Sequence, residues 1–238
     1  MTTSSIPFRS RAALAFVRVA SLASWLMAAV LGAPATAAAQ PQGTSVSPLS
    51  LNAQLLVSAR EGNVSQVARL LDQGAAVNSR NRLGKTPLLM ACEKGSTELA
   101  EAALKAGADV NLASVEGVTP LMAASYSGHA VIARHLLDAG ARTAQLDRMN
   151  KPAAVYAAGQ GHAAVLAVLF DAGVDVNAPY EHQLTALMWA AGQGQAGAVA
   201  LLLARGARPD MRDDRGETAL DIARGAGHEA AMRAAGLN

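Results

Sequence analysis

A spacing of 33 residues between glycines runs through most of this 238-residue chain. One glycine series falls at positions 62, 95, 128, 161, 194 and 227, and a second falls at 74, 107, 140, 173 and 206. Since the spacing holds without one insertion, the chain consists of about six copies of one unit. A fixed period of this length predicts a solenoid, in which each copy packs only against its neighbours.

The second copy, GKTPLLMACEKGSTELAEAALKAGADVN at 84–111, shows how one unit folds. Thr86 can cap a first helix through its hydroxyl, and Pro87 occupies the first helical position, where a missing N–H costs nothing. Gly95 and Gly107 follow the apolar positions of two short helices and suit the left-handed conformation that ends a helix. Each copy is therefore predicted to be helix, tight turn, helix and loop. Neither helix can bury its apolar face alone, so the copies must stack.

Short motifs recur at the same offset in several copies. They are GKTPLLMA and GADVN in the second copy, GVTPLMAA in the third, GVDVN in the fourth and GETALDIA in the sixth, with Gly-His pairs at 128–129 and 227–228. In these motifs the chain resembles the ankyrin repeat family. The resemblance implies an all-α solenoid of about six 33-residue helix-turn-helix repeats. These fall at about 51–80, 81–113, 114–146, 147–179, 180–212 and 213–238.

Two departures from the family pattern affect the inside of the stack. The position two residues after the proline, where the family usually has histidine, holds Leu89, Met122, Val155, Met188 and Asp221. We expect the apolar members to stack into a stripe, with dispersion contacts in place of polar links between repeats. The fourth copy departs most, with Pro152 in place of threonine and Asn150 in place of glycine, although asparagine tolerates positive φ. The first and last copies are predicted to be caps, because each has one face in water.

The N-terminal segment has the pattern of a secretory signal peptide. Arg9, Arg11 and Arg18 precede the apolar stretch VASLASWLMAAVLG, and the small residues of APATAAAQ follow it. We predict a signal peptide at 1–39, cleaved after Ala39, a short linker at 40–50 and an ankyrin repeat domain at 51–238.

A membrane anchor is the alternative interpretation of the same segment. Residues 19–39 have almost the length that spans a bilayer. Pro34 and the small residues near Ala39 fit a cleavage region better. We therefore expect a periplasmic or secreted protein with no stable membrane span after cleavage, and the pattern is typical of a Gram-negative bacterium.

Charge and cysteine content exclude several classes of protein. Removal of residues 1–39 would leave 17 basic against 18 acidic residues, and these are interspersed. A basic patch of the kind that neutralises phosphates is absent from the sequence, so we expect no nucleic-acid partner. Cys92 is the only cysteine and cannot form an intramolecular disulfide. Its equivalents are Ser125 and Ala158, which predicts a small buried side chain at this position.

The sequence contains no recognisable catalytic or metal-binding pattern. His129, His162 and His228 occupy equivalent positions, and stacking places such residues in a line rather than around one ion. We therefore assign them a role in stabilising the turn, and predict no catalytic residue, no metal site and no cofactor. The glycines of GQGQAG fall largely at turn positions, and no Lys-Ser or Lys-Thr follows them.

The family resemblance implies where a partner would bind. In ankyrin stacks the loop tips and the first helix of each repeat line a concave groove. Carried over by position, the candidate protein-binding residues are Val115, Val118, Tyr126, Arg148, Met149, Tyr156, His182, Leu184 and Trp189. Several are apolar where solvent alone would favour charge, and tyrosine, tryptophan and arginine are enriched at binding hot spots.

Two alternatives remain open at this point. Tyr156 and Trp189 share one helix position and could simply fill gaps between alanine-rich copies. His182, Tyr180, Tyr156 and Trp189 could instead form one cluster of a small-ligand or metal-handling module, which a closed pocket beside them would favour. The interpretation that we adopt is an exported, monomeric, non-enzymatic module that binds a partner protein through its groove.

The signal peptide can be tested by mass. We predict that export removes residues 1–39 or nearly so, because the arginines, the apolar centre and the small-residue end match the signals of secretion. Intact-mass spectrometry of protein from a periplasmic extract measures the outcome. A mature chain that still contains Trp25 would instead support the membrane anchor.

Overall fold

The computed structural model describes residues 48–237 of the chain, and these contain twelve α-helices and no β-strand. The helices are α1 (Pro48–Glu61), α2 (Val64–Asp72), α3 (Pro87–Lys94), α4 (Thr97–Lys105), α5 (Pro120–Ser127), α6 (Ala130–Asp138), α7 (Ala153–Gln160), α8 (Ala163–Asp171), α9 (Ala186–Gly192), α10 (Ala196–Ala204), α11 (Ala219–Gly225) and α12 (Glu229–Ala234). A 3-10 turn, Glu181–Gln183, precedes α9. The predicted all-α architecture is confirmed.

The helices stack in two rows. The odd-numbered helices, here called the inner helices, pack in the order α1, α3, α5, α7, α9 and α11. The even-numbered outer helices pack in the same order, from α2 to α12, and each inner helix also packs on the outer helix that follows it. The predicted signal peptide lies outside the described residues, and α1 begins at Pro48, within the predicted linker.

Threonine caps begin most inner helices. The hydroxyl of Thr86 accepts a hydrogen bond from the N–H of Leu89 at 3.2 Å, and Thr119, Thr185 and Thr218 repeat this contact. Pro152 makes no side-chain cap at the start of α7. The loop before α7 nevertheless keeps the turn, because Asn150 takes a φ of 54° where the second, third and sixth copies use Gly84, Gly117 and Gly216.

The apolar stripe inside the stack is present as predicted. Leu89, Met122, Val155 and Met188 are at most 2% exposed. The sulfur of Met122 lies 3.4 Å from the N–H of Thr119, so it occupies the place of a polar capping partner. In the last copy Asp221 accepts a true hydrogen bond there, from the N–H of Thr218 at 3.1 Å.

Small side chains fill a second buried position of the inner helices, three residues after this stripe. Cys92, Ser125 and Ala158 are fully buried, which confirms the expectation for this position. Burial raises the pKa of the Cys92 thiol far above its ordinary value, so the group stays protonated. A side chain larger than these would separate neighbouring inner helices, because interiors are close-packed.

Asparagines link the loops at the far end of the repeats. The side-chain oxygen of Asn78 accepts the N–H of Asp109 at 2.9 Å, and Asn111 and Asn177 accept the N–H groups of Arg142 and Arg208, both at 2.8 Å. Ala144 occupies the equivalent position between the third and fourth repeats. That junction therefore lacks the asparagine link.

The second glycine series ends the outer helices, and Gly140 isolates its role. Gly140 has a φ of 88°, and a Cβ atom there would meet no atom within 4 Å. We expect Gly140→Val to lower the free energy of unfolding by about 1–3 kcal/mol, because a β-branched residue is strained at positive φ. Ala139→Ser is the matched control, since Ala139 has a φ of −85°. Equal shifts of the two thermal melts would contradict this account.

Candidate functional site

The candidate site lies on the surface formed by α3, α5, α7 and α9 and by the loop tips that precede them, here called the inner surface. In four of the five loops an acceptor side chain at the loop base holds the tip, and the four residues are Asn81, Ser114, Asp147 and Asp213. The Asp147 carboxylate accepts the N–H groups of Met149 at 2.8 Å and Lys151 at 2.9 Å. Asp213 does the same two repeats further on, for Arg215 and Glu217. These bonds fix the backbone of the tips before any partner binds.

Backbone hydrogen bonds also join one tip to the next. The N–H of Val115 donates to the carbonyl of Leu83 at 2.9 Å, and the N–H of Arg148 donates to that of Glu116 at 3.1 Å. The side chains on these tips project into solvent: Leu83 is 61% exposed, Val115 46% and Met149 49%. The linked loops therefore present a row of exposed apolar groups on a rigid backbone.

The tip of the fifth repeat has a different conformation. Tyr180 takes the place of the acidic residue at the loop base, and both His182 and Gln183 have a φ of 58°. Burial, with Asp175 nearby, raises the pKa of Tyr180 to about 12. Asn150 donates its side-chain amide to Glu181 at 3.1 Å, so a side-chain contact joins the fourth and fifth tips.

Two tyrosines from consecutive repeats contact each other on the inner surface. The rings of Tyr126 and Tyr156 meet edge to face, with centroids 5.8 Å apart and an interplanar angle of 80°. The Tyr156 hydroxyl donates a hydrogen bond to Asp147. Burial, followed by this bond, raises the pKa of Tyr156 above its ordinary value. Tyr156 is therefore half-buried and tied to its own loop, so part of its role is to pack the repeat.

Trp189 lies beside a cation rather than beside another ring. The Lys151 ammonium sits over the indole ring, 4.8 Å from its centroid. This distance is within the range of a cation–π interaction. The inner helices α5, α7 and α9 contain no charged residue, so Lys151 supplies a positive charge to an otherwise neutral stretch of the inner surface.

The predicted site residues differ in exposure. Val115, Arg148, Met149 and His182 are exposed, whereas Val118, Tyr126, Tyr156, Leu184 and Trp189 are half-buried. The structure brings Tyr126 and Tyr156 together. It directs His182 toward the sixth repeat, where its ring lies 3.5 Å from Asp214. Within residues 50–237, no hydrogen bond or ring contact joins His182 to Tyr156 or Trp189.

Two residues of the inner surface are missing from the set predicted by sequence. Leu83 occupies the same repeat position as Met149, and Lys151 occupies the same position as Val118 and Leu184. The sequence signal for both residues was therefore that each occupies the same repeat position as a predicted site residue. The bond from Tyr156 to Asp147 could not be read from the repeat spacing, because it forms only in the folded repeat.

His162 joins two neighbouring repeats, which differs from the predicted role within its own turn. Its Nε2 lies 2.9 Å from the carbonyl oxygen of Tyr126, and its ring lies where a Cβ atom on Gly128 would be. Gln195 occupies the same position one repeat later and donates to the carbonyl of Gly159 at 3.2 Å.

Across residues 50–237, no group of three or more acidic, histidine or cysteine side chains could hold a metal ion.

An open depression of about 370 Å³ lies on the opposite side, between α4 and α6. Glu101 and His135 line it with Leu104 and Asp138, and His135 is 3.6 Å from Glu101. Its open shape differs from the enclosed form that a small-ligand site usually has.

None of the helices between residues 48 and 237 is both long and apolar enough to cross a membrane.

Family models identify the repeats directly. A model of ankyrin repeats in three copies matches residues 55–150 and 116–180, and a model of ankyrin repeats in many copies matches residues 169–223. The chain belongs to the ankyrin repeat family. Ankyrin repeats form a general protein–protein interaction fold, and the family is typically non-enzymatic.

Two known proteins illustrate the similarity. The crystal structure of the ankyrin repeat protein EF0377 matches with a TM-score of 0.69 and 27% identity, over 76% of this chain and 96% of that one. The mitochondrial disaggregase of Bos taurus is 53% identical over 45 residues, which are 19% of this chain. The matched segment spans only 7% of the disaggregase.

The environment of His129 predicts a pH dependence of stability. Burial and the neighbouring His162 lower the pKa of His129 from 6.5, and a hydrogen bond with the backbone of Glu93 opposes the shift only in part. Because the folded state holds the proton less tightly than the unfolded state, His129 should reduce stability as the pH falls below about 6.5.

His129→Gln tests this effect, since Gln195 shows that glutamine fits the position. Urea unfolding of both proteins between about pH 7.5 and pH 5 measures it. The wild type should lose more stability than the variant over this interval. Parallel pH profiles would show that His129 does not contribute.

Proposed function

We propose that this protein is an exported ankyrin adaptor that binds a partner protein through its inner surface, in the periplasm or outside the cell. It acts as a monomer and without catalysis. The observation that supports this most directly is the row of exposed apolar tips beside half-buried aromatic side chains. Such a surface is costly in water unless a partner covers it.

Rigidity of the surface supports a role in recognition. The tips are held by the carboxylates at the loop bases and by hydrogen bonds from tip to tip. The inner helices beneath them pack through fully buried side chains such as Leu121 and Leu187. A preformed surface loses little conformational freedom on binding, so more of the contact energy contributes to affinity.

The aromatic side chains have the exposure expected of binding anchors. Trp189 and Tyr126 are each partly covered by the repeat and partly open to solvent. A partner that covered the open faces would remove apolar area from water at about 25 cal/mol per Å². Large aromatic groups at the centre of a surface dominate binding energy in this way.

Nothing in the arrangement of the inner surface favours chemistry. The Asp147 carboxylate is committed to two N–H groups and the Tyr156 hydroxyl, and Asp213 to its loop and Arg215. Hydrogen bonding that consumes the acceptors of a carboxylate leaves it no free oxygen to act as a general base. Export is supported by the arginines, apolar centre and small-residue end of residues 1–39.

The proposal predicts the effect of a double substitution. Trp189→Ala with Met149→Asp should abolish capture of the native partner while helical content stays nearly unchanged. Loss of a true anchor costs at least about 2 kcal/mol of binding free energy, which is about thirtyfold in affinity. Titration of the partner, with circular dichroism of each variant, measures both effects.

Two further variants make the result interpretable. Arg134 lies on the outer helix α6, and its guanidinium is 3.9 Å from Asp171. Arg134→Ala should therefore leave binding unchanged. Met149→Asp alone changes an exposed tip and should weaken binding without affecting the fold. If the double variant bound the partner normally and the Arg134→Ala variant did not, the binding site would lie on the outer helices.

A further inference from the structure

At its repeat position, Lys151 is the one charged residue among the third, fourth and fifth repeats. The equivalent residues of the third and fifth repeats are Val118 and Leu184, both half-buried. Between them the Lys151 ammonium lies over the Trp189 ring, at 4.8 Å from its centroid. An ammonium on an aromatic face keeps the N–H donors that point away from the ring.

No carboxylate of the described chain pairs with this ammonium. Three other basic residues around the inner surface do have acidic partners. Lys85 pairs with Glu93 at 2.7 Å, and Arg148 pairs with Glu116 at 3.7 Å. Arg215 also pairs with Asp213 and Glu217. No ion pair between residues 50 and 237 includes Lys151.

The acidic groups of its own loop and of the next loop tip are already engaged. Both oxygens of Asp147 accept hydrogen bonds within its own repeat, and the residue is only 7% exposed. Glu181, at the next tip, accepts the side-chain amide of Asn150. The inner helices α5, α7 and α9 contribute no acidic residue at all.

We propose that the partner binds this surface through a segment in which a carboxylate side chain lies beside an apolar or aromatic one. The carboxylate pairs with Lys151, and its apolar neighbour packs against Trp189 and the Tyr126–Tyr156 pair. This rests on the proposed function and adds the chemical class of the partner. Charge complementarity favours an acidic segment, because the Lys151 ammonium has no acidic partner among the described residues. The apolar surroundings of Lys151 strengthen an ion pair that forms there.

A random peptide library displayed on phage tests the inference without the native partner. The full-length chain and its Lys151→Gln variant are the two baits. The wild type should enrich peptides with Asp or Glu next to an apolar or aromatic residue. The variant should lose the acidic enrichment and keep the apolar one.

A titration measures the same pair of groups directly. Trp25→Phe leaves Trp189 as the only tryptophan, so its fluorescence reports binding beside Lys151. An enriched acidic peptide should bind about tenfold more weakly to Lys151→Gln than to the wild type. The same peptide with Asn or Gln in place of its acidic residues should lose a similar amount of affinity for the wild type. Lys151→Arg should keep the affinity within about threefold, because it retains charge and stacking. Lys105→Gln, at the end of α4, is the matched control and should change nothing.

The outcomes separate this inference from the proposed function. Neutral or basic peptides enriched by the wild type would overturn the acidic partner but leave a binding surface. An acidic preference that persists in Lys151→Gln would overturn the role of Lys151. Failure to enrich any peptide would also overturn the inference, whereas the proposed function would fail only if the native partner ignored the Trp189 and Met149 substitutions.

Discussion

Burial of each repeat against its neighbours is the constraint on which the rest of this structure depends. A pair of helices of about nine residues each is too short to be stable alone in water. The stack resolves this by burying Leu88, Leu121 and Leu187 of successive inner helices almost completely. The fully buried Cys92, Ser125 and Ala158 allow these helices to approach closely. Every other feature, including the position of each loop tip, follows from this packing.

Three of the repeated polar contacts are missing around the fourth repeat. Ala144 removes the asparagine link, Pro152 removes the threonine cap, and Tyr180 removes the acidic residue at the next loop base. The same region contains the tyrosine pair, the bond from Tyr156 to Asp147, and Lys151 over Trp189. Contacts between large side chains therefore occur where these repeated contacts are missing. As a consequence, the most distinctive surface chemistry lies in the centre of the stack.

The charges of the stack are arranged differently at its C-terminal end and at its centre. At the sixth repeat, Arg224 and Arg233 share Glu229 in a network of exposed ion pairs, which contributes little to stability in water. In the central repeats the inner helices α5, α7 and α9 are neutral, and the single ammonium of Lys151 lies on an aromatic face. A charge in such surroundings is less screened than one at an exposed rim, so it has more influence on which partner fits. This contrast is the physical basis for assigning recognition to the centre rather than to the ends.

The sequence by itself determined the architecture, because period, helix caps and helix stops are local signals. Thr86, Gly140 and even the substitute Asn150 adopt the roles that their positions predict. The burial of Leu89 and Met122 also follows from periodicity alone. The exposure of Val115 and Met149, by contrast, and the direction of His182 toward Asp214, depend on how successive loops meet. Only the tertiary structure decided that Tyr156 is tied to Asp147 and that Lys151 covers Trp189, because these contacts join side chains whose separation in sequence carries no periodic signal.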